Sequence, residues 1–172
     1  MILCVYKEGL KRTEPTLKLL LKYNATIIIA RNSNTYETAL KAEWGQDDII
    51  IIEHDILFKK KHLQEISTCD HFLCAFNYYL YPPTTELDHP ELAHRSWDIA
   101  TGRLIWNNKG HITADRAGFG MTKISKEFQK KHKPDWEKGE WNNLDTRFSI
   151  WINEKLGYKF NIHQDVVYHN HC

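Results

Sequence analysis

The sequence predicts an α/β fold with a mostly parallel central sheet and flanking helices, and three observations carry that reading. Short apolar runs take turns with helical patterns through the first third of the chain. Those runs are continuously apolar, not alternating. Each pattern stops at a turn residue before the next begins. Continuous apolar strands separated by helices belong to parallel sheets covered on both faces.

The elements follow in order. "ILCVY" (2–6) reads as a buried strand, and Thr13 with Pro15 opens a helix that sets Leu17, Leu20 and Leu21 on one face. "ATIIIA" (25–30) is the second strand. A helix capped at Asn34 then carries Tyr36, Ala39, Leu40 and Trp44, and Gly45 stops it. "DIIII" (48–52) is the third strand, followed by a short helix from Lys59 to Ile66 and an apolar run, "HFLCAF" (71–76). Residues 77–117 show no clear period, which points to a binding loop region or to irregular structure. "GFGMT" (118–122) restores order. A helix from a Ser125 cap to His132 comes next, then one capped by Asn143 carrying Leu144, Phe148, Trp151 and Ile152, closed by Gly157. Strands over 158–163 and 166–169 end the chain.

At 172 residues, with 42% apolar and 26% charged residues, a single soluble domain spanning 1–172 is expected. The net charge of +1 supplies no overall drive toward nucleic acid or an anionic membrane. No stretch nears the roughly 20 apolar residues of a membrane span, and "MILCVYKEGL" lacks the pattern of a signal peptide. Cys4, Cys69, Cys74 and Cys172 contain no Cys-x-x-Cys pair and read as reduced thiols of a cytoplasmic protein. The lysines at 59–61 and at 123, 126, 130, 131 and 133 read as solvated faces, or as a track for a phosphate backbone.

The chemistry starts at the end of the third strand. The isoleucines break off in Glu53-His54-Asp55, at the carboxyl edge where open α/β sheets bind ligands. Two carboxylates one residue apart suit a hard cation: Mg²⁺ with phosphate oxygens, or Mn²⁺, which also accepts an imidazole. Acids that end a strand in solvent explain them equally well. His169 and His171 in "VVYHNHC" share one side of a strand, so either could supply that imidazole. A zinc site from His163, His169, His171 and Cys172 is a weaker option because its spacings fit no recurrent pattern. Asp145 falls in the first turn of its helix, where the dipole favours a carboxylate; facing the cleft, it would be a general base.

Taken in order, Glu53-His54-Asp55, Gly118-Phe119-Gly120, Leu144-Asp145 and a C-terminal histidine resemble the motifs of a small GT-A-type glycosyltransferase, similar to the family-2-like enzymes. The resemblance implies a GT-A-like (Rossmann-like) fold with a small C-terminal acceptor-side subregion. Residues 1–76 would be the nucleotide- and metal-binding half, and 77–172 the acceptor and catalytic half. It implies a sugar transfer, hexosyl or pentosyl, from a nucleoside-diphosphate-sugar to a hydroxyl. The transfer would be inverting, with Asp145 as base and Mn²⁺ or Mg²⁺ as cofactor. Asp55 would bind the metal, Glu53 the metal shell or the donor ribose, and His169 would close the shell with His171 as substitute. Arg31, Asn32 and Ser33 would contact the donor, and Gly118 and Gly120 would admit its sugar. The sequence departs from the family at Glu53, where Asp is usual, and in its short nucleotide half.

Trp97, Trp106 and Trp141 are the candidate acceptor contacts, with Trp136 beside them; core packing is the competing role for each. The acceptor is a glycan, a small molecule or a modified DNA base, the last implying a phage enzyme in host cytoplasm. Two other classes stay open: a non-catalytic module for nucleotide-sugar or nucleic acid, and a metal-dependent hydrolase.

Overall fold

The computed structural model describes residues 1–6, 8, 14–32, 34–79, 97–98, 103–104, 112–136 and 144–169. In chain order the elements are β1 (Ile2–Tyr6), α1 (Glu14–Leu21), β2 (Thr26–Ile29), α2 (Thr35–Ala42), β3 (Ile49–Ile52), β4 (Ile56–Leu57), α3 (Lys60–Thr68) and β5 (Leu73–Tyr79). There follow β6 (Trp97–Asp98), β7 (Arg103–Leu104), β8 (Ile112–Ala114), β9 (Met121–Ile124), α4 (Lys126–Lys131), α5 (Leu144–Ile150), a π-helical turn (Trp151–Lys155) and β10 (Phe160–His169). One sheet runs β2-β1-β3-β9-β5-β10-β4, with β8 also on β10; β6 and β7 pair separately. The fold is mixed α/β.

The isoleucine run shows why the sheet is buried on both sides. All four side chains of β3 are buried, and they alternate between two cores. Ile49 and Ile51 join Leu3, Val5, Phe128, Phe148 and Phe160 on the face covered by α2, α4 and α5. Ile50 and Ile52 join Leu20, Leu63, Ile66 and Phe76 on the face covered by α1 and α3. Each buried isoleucine contributes roughly 2 kcal/mol of transfer free energy.

The rest of the sheet is less parallel than the apolar runs suggest. β1 pairs in parallel with β2 and β3, and β5 with β10, as expected for buried strands. Between those groups, β9 runs antiparallel to both β3 and β5. The expected strands at 158–163 and 166–169 are one strand, β10, whose register slips between His163 and Val166. Beyond the slip its last residues pair with β4.

Several local expectations change. Asn34 makes no capping bond; instead Thr35 Oγ1 accepts the amides of Arg31 and Asn32 at 3.1 and 3.2 Å. The Ser125 cap holds, its hydroxyl accepting from the Phe128 amide. Thr13 and Asn143 lie outside the described residues. Lys123 is not on a solvated face: it is 4% exposed, pairs with Asp48 at 3.0 Å and donates to the Ser67 and Cys69 carbonyls. Cys69 and Cys74 are not free thiols but bonded to each other, because the end of α3 turns straight back into β5. Cys4 is free and buried.

Candidate functional site

β3 ends and the chain turns at once. The Ile56 amide donates to the Glu53 carbonyl at 3.1 Å, so Glu53-His54-Asp55 forms the tip of a tight turn into β4. On one side, the Thr16 hydroxyl of α1 donates to the Ile56 carbonyl at 3.1 Å. On the other, Ile56 and Leu57 pair with His169 and Tyr168. Asp55 is buried at 3% exposure, with His54 Nδ1 at 3.8 Å from its carboxylate. His54 is thus an immediate neighbour of that acid. The pairing puts the backbone of His169 opposite Ile56, the residue after Asp55. Sequence neighbours of the acid turn thus come from both ends of the chain.

The glycine segment meets the same turn. The Glu53 amide donates to the Gly120 carbonyl at 3.0 Å, and the Gly118 carbonyl accepts from Thr122 Oγ1 at 2.8 Å. Gly120 is glycine for a packing reason: a Cβ there would lie 2.5 Å from two ring carbons of the buried Tyr78. The space expected to admit a donor sugar at this residue is therefore taken by Tyr78. Gly120→Ala is expected to destabilise the fold by about 1–3 kcal/mol through overpacking. Urea denaturation measures it; an unchanged midpoint would show that the Tyr78 ring moves aside freely.

Helix α5 brings Asp145 to this edge. Its Ser149 exchanges hydrogen bonds with the backbone of Ala117, and its Phe148 ring lies 5.2 Å from Phe119. Arg147 pairs with the buried Glu37 of α2 at 3.3 Å. Asp145, in the first turn, is one helical turn before Ser149 on the same side and is partly exposed. Its Oδ1 accepts from the Thr146 amide at 2.7 Å.

Beside the glycine segment lies a buried phenol. Tyr36 of α2 is 5% exposed, and burial pushes its hydroxyl well above the ordinary tyrosine range. The charge of Glu53 pushes it the same way, followed by Cys4, Asp145 and Tyr78. The Tyr36 ring itself packs on Phe119 of the glycine segment, with centroids 5.9 Å apart. Burial, then Glu53 and Asp55, push the Cys4 thiol up to about 12. Cys4 is thus a neutral wall beside the acids, not a thiolate. The arrangement is a carboxylate-rich edge with a neutral phenol and thiol behind it.

The remaining predicted residues are placed less completely. Arg31 and Asn32 are exposed on the loop after β2, which leaves the carboxyl edge beside Tyr6, where the Ala30 amide bonds the Tyr6 carbonyl. Trp97 pairs through its backbone with Leu104. Ser33, Trp106, Trp141 and His171 lie outside the described residues. Trp136 is 4% exposed and packs against Trp44, Phe148 and Trp151, so its role is in the core. Sequence reasoning missed Tyr36, Cys4 and Tyr78 as walls of the edge, because each reads as an ordinary apolar position of its element.

No family model matches the sequence, and no curated protein matches it. The fold is similar to that of A197 from STIV, seen in its crystal structure, with a TM-score of 0.57 over 98% of this chain and 84% of that one. Sequence identity is 13%, so the likeness is one of fold. No helix among the described residues is long and apolar enough to cross a membrane.

Proposed function

We propose that the protein is a GT-A-like glycosyltransferase that moves a sugar from a nucleoside-diphosphate donor to an acceptor hydroxyl. The observation that carries this reading is the meeting of three distant segments at the carboxyl edge of β3. The acid turn 53–55 bonds the glycine segment through Gly120, and α5, which carries Asp145 in its first turn, is fastened to Ala117 by Ser149.

Each part has a chemical task. Asp55 and Glu53 offer hard oxygen ligands, and the strand register adds His169 as the third candidate, a donor set that fits Mn²⁺ or Mg²⁺. A divalent cation bound there would offset the negative charge of a departing diphosphate. Asp145 accepts the proton of the acceptor hydroxyl. That oxygen bonds to the anomeric carbon as the carbon–oxygen bond to the diphosphate breaks, inverting the centre. Arg31 and Asn32, on the loop beside the edge, face the solvent from which a nucleotide arrives.

The test uses a common nucleotide of the required chemistry. UDP with Mn²⁺ is expected to raise the melting temperature by several degrees, equivalent to about 2.7 kcal/mol at a hundredfold excess over Kd. UDP alone leaves it unchanged, and Asp55→Ala removes the shift. If neither UDP, GDP nor a cytidine or thymidine diphosphate shifts the transition with Mn²⁺ present, the donor site is not there.

A further inference from the structure

We propose a second metal site, for a thiophilic divalent cation of the Zn²⁺ class, formed by Cys69, Cys74 and His163 when the Cys69–Cys74 bond is reduced. The ligand atoms of these three residues lie within 4.8 Å of one another. They share no residue with the acid turn and sit on the sheet face that α3 covers.

The fold builds this cluster from two elements. In the pairing of β5 with β10, Cys74 lies opposite Asn161, and His163 opposite Phe76. Residues two apart share a face, so Cys74 and His163 point the same way. Cys69 ends α3, and the five-residue return to β5 sets it over Cys74. The spacing Cys-x₄-Cys falls within the usual range for zinc-binding cysteines. Their Cα atoms are 6.9 Å apart, at the wide end for a disulfide. That separation also accommodates two thiolates about 3.8 Å apart on a tetrahedral ion with metal–sulfur bonds of about 2.3 Å.

The surroundings match what a metal ligand set requires. Glu65 Oε1 lies 2.8 Å from His163 Nδ1; with Nδ1–H donating to that carboxylate, the imidazole lone pair is on Nε2, the ligating form. The His163 ring is 2% exposed and stacks on Phe76 at 4.6 Å, which fixes its plane. Asn161 donates to Cys69 Sγ at 3.9 Å, a bond that favours sulfur carrying negative charge. Lys123 grips the Cys69 carbonyl at 2.7 Å, so the ligand backbone is anchored. Cys69 is only partly buried, which leaves solvent access for a fourth, water ligand. A carboxylate–histidine pair behind two cysteines is more than a disulfide needs.

The two states exclude each other. With a phosphine reductant, two electrons enter the sulfur–sulfur bond, the phosphine takes oxygen from water, and two thiols result. Binding M²⁺ then releases both thiol protons to solvent. A disulfide has no thiolate to offer, so oxidation closes the site.

The test titrates Co²⁺ into the phosphine-reduced full chain and follows thiolate-to-cobalt absorption, with Zn²⁺ as competitor. One ion per chain is expected, displaced by Zn²⁺ and lost after disulfide formation. His163→Ala weakens binding at least a hundredfold. Glu65→Gln, which leaves every ligand in place and covers the case of an unfolded His163 variant, weakens it about 10- to 100-fold. Asp55→Ala and Cys172→Ser leave the band intact. Absence of the band in the reduced, folded chain overturns the site. So does a band insensitive to Glu65→Gln and His163→Ala, or one lost with Cys172→Ser.

Discussion

Asp145→Asn is expected to retain Mn²⁺-dependent binding of a nucleoside diphosphate while losing about 10²- to 10⁴-fold in transfer rate. The substitution keeps the shape of the side chain, and the carboxyl oxygen that accepts the Thr146 amide has a counterpart in the asparagine. Helix α5 therefore stays fastened to Ala117 and Phe119. What disappears is a group able to take a proton. The acid turn keeps its bond to Gly120, which the substitution does not touch. Donor binding then holds as turnover falls. Turnover is read as release of nucleoside diphosphate from a nucleotide-sugar in the presence of acceptor. Retained binding without turnover in the unmodified protein would instead mark a binding module. Full activity of Asp145→Asn would remove it from the mechanism.

The parts of this arrangement that were legible in the sequence are those set by local burial. Ile49 to Ile52 announce a strand with no wet face, and two cores receive them alternately. The tip of that strand is equally plain, since Glu53 and Asp55 cannot continue into an apolar core without partners. Long-range pairing was not legible. The addition of β4 to the end of β10, which sets His169 beside Ile56, depends on a register slip after His163 that no periodicity marks. The antiparallel β9 is hidden for another reason: it is buried on both faces yet carries Thr122 and Lys123, whose partners at Gly118 and Asp48 exist only in the folded chain. Tyr36 sits at an apolar position of α2, and only the folded chain shows its ring against Phe119 of the glycine segment. The cysteines were misread because attention to Cys-x-x-Cys passes over Cys-x₄-Cys, which becomes a close pair only once α3 folds back onto β5.

Phe148→Ala is expected to destabilise the protein by about 3–5 kcal/mol, in the range for emptying a buried aromatic position. The ring is fully buried and meets Phe119, Trp44, Trp136, Trp151 and Phe160, so the cavity opens among large rigid rings that close poorly around it. Chemical denaturation reads this loss directly. The same residue tests how the site is held. Phe148 and Ser149 are the side chains by which α5 grips residues 117–119, and Asp145 is one helical turn earlier. With the ring gone, the helix start keeps the Ser149 bonds but loses the contact that fixes its tilt. A displacement of about 1 Å at a catalytic group can cost about a hundredfold in rate. Below the unfolding transition, Phe148→Ala is therefore expected to lower turnover more than Ile66→Val, a core change on α3 at the other face of the sheet. Equal turnover in the two folded variants would mean that Asp145 is positioned by Ser149 alone.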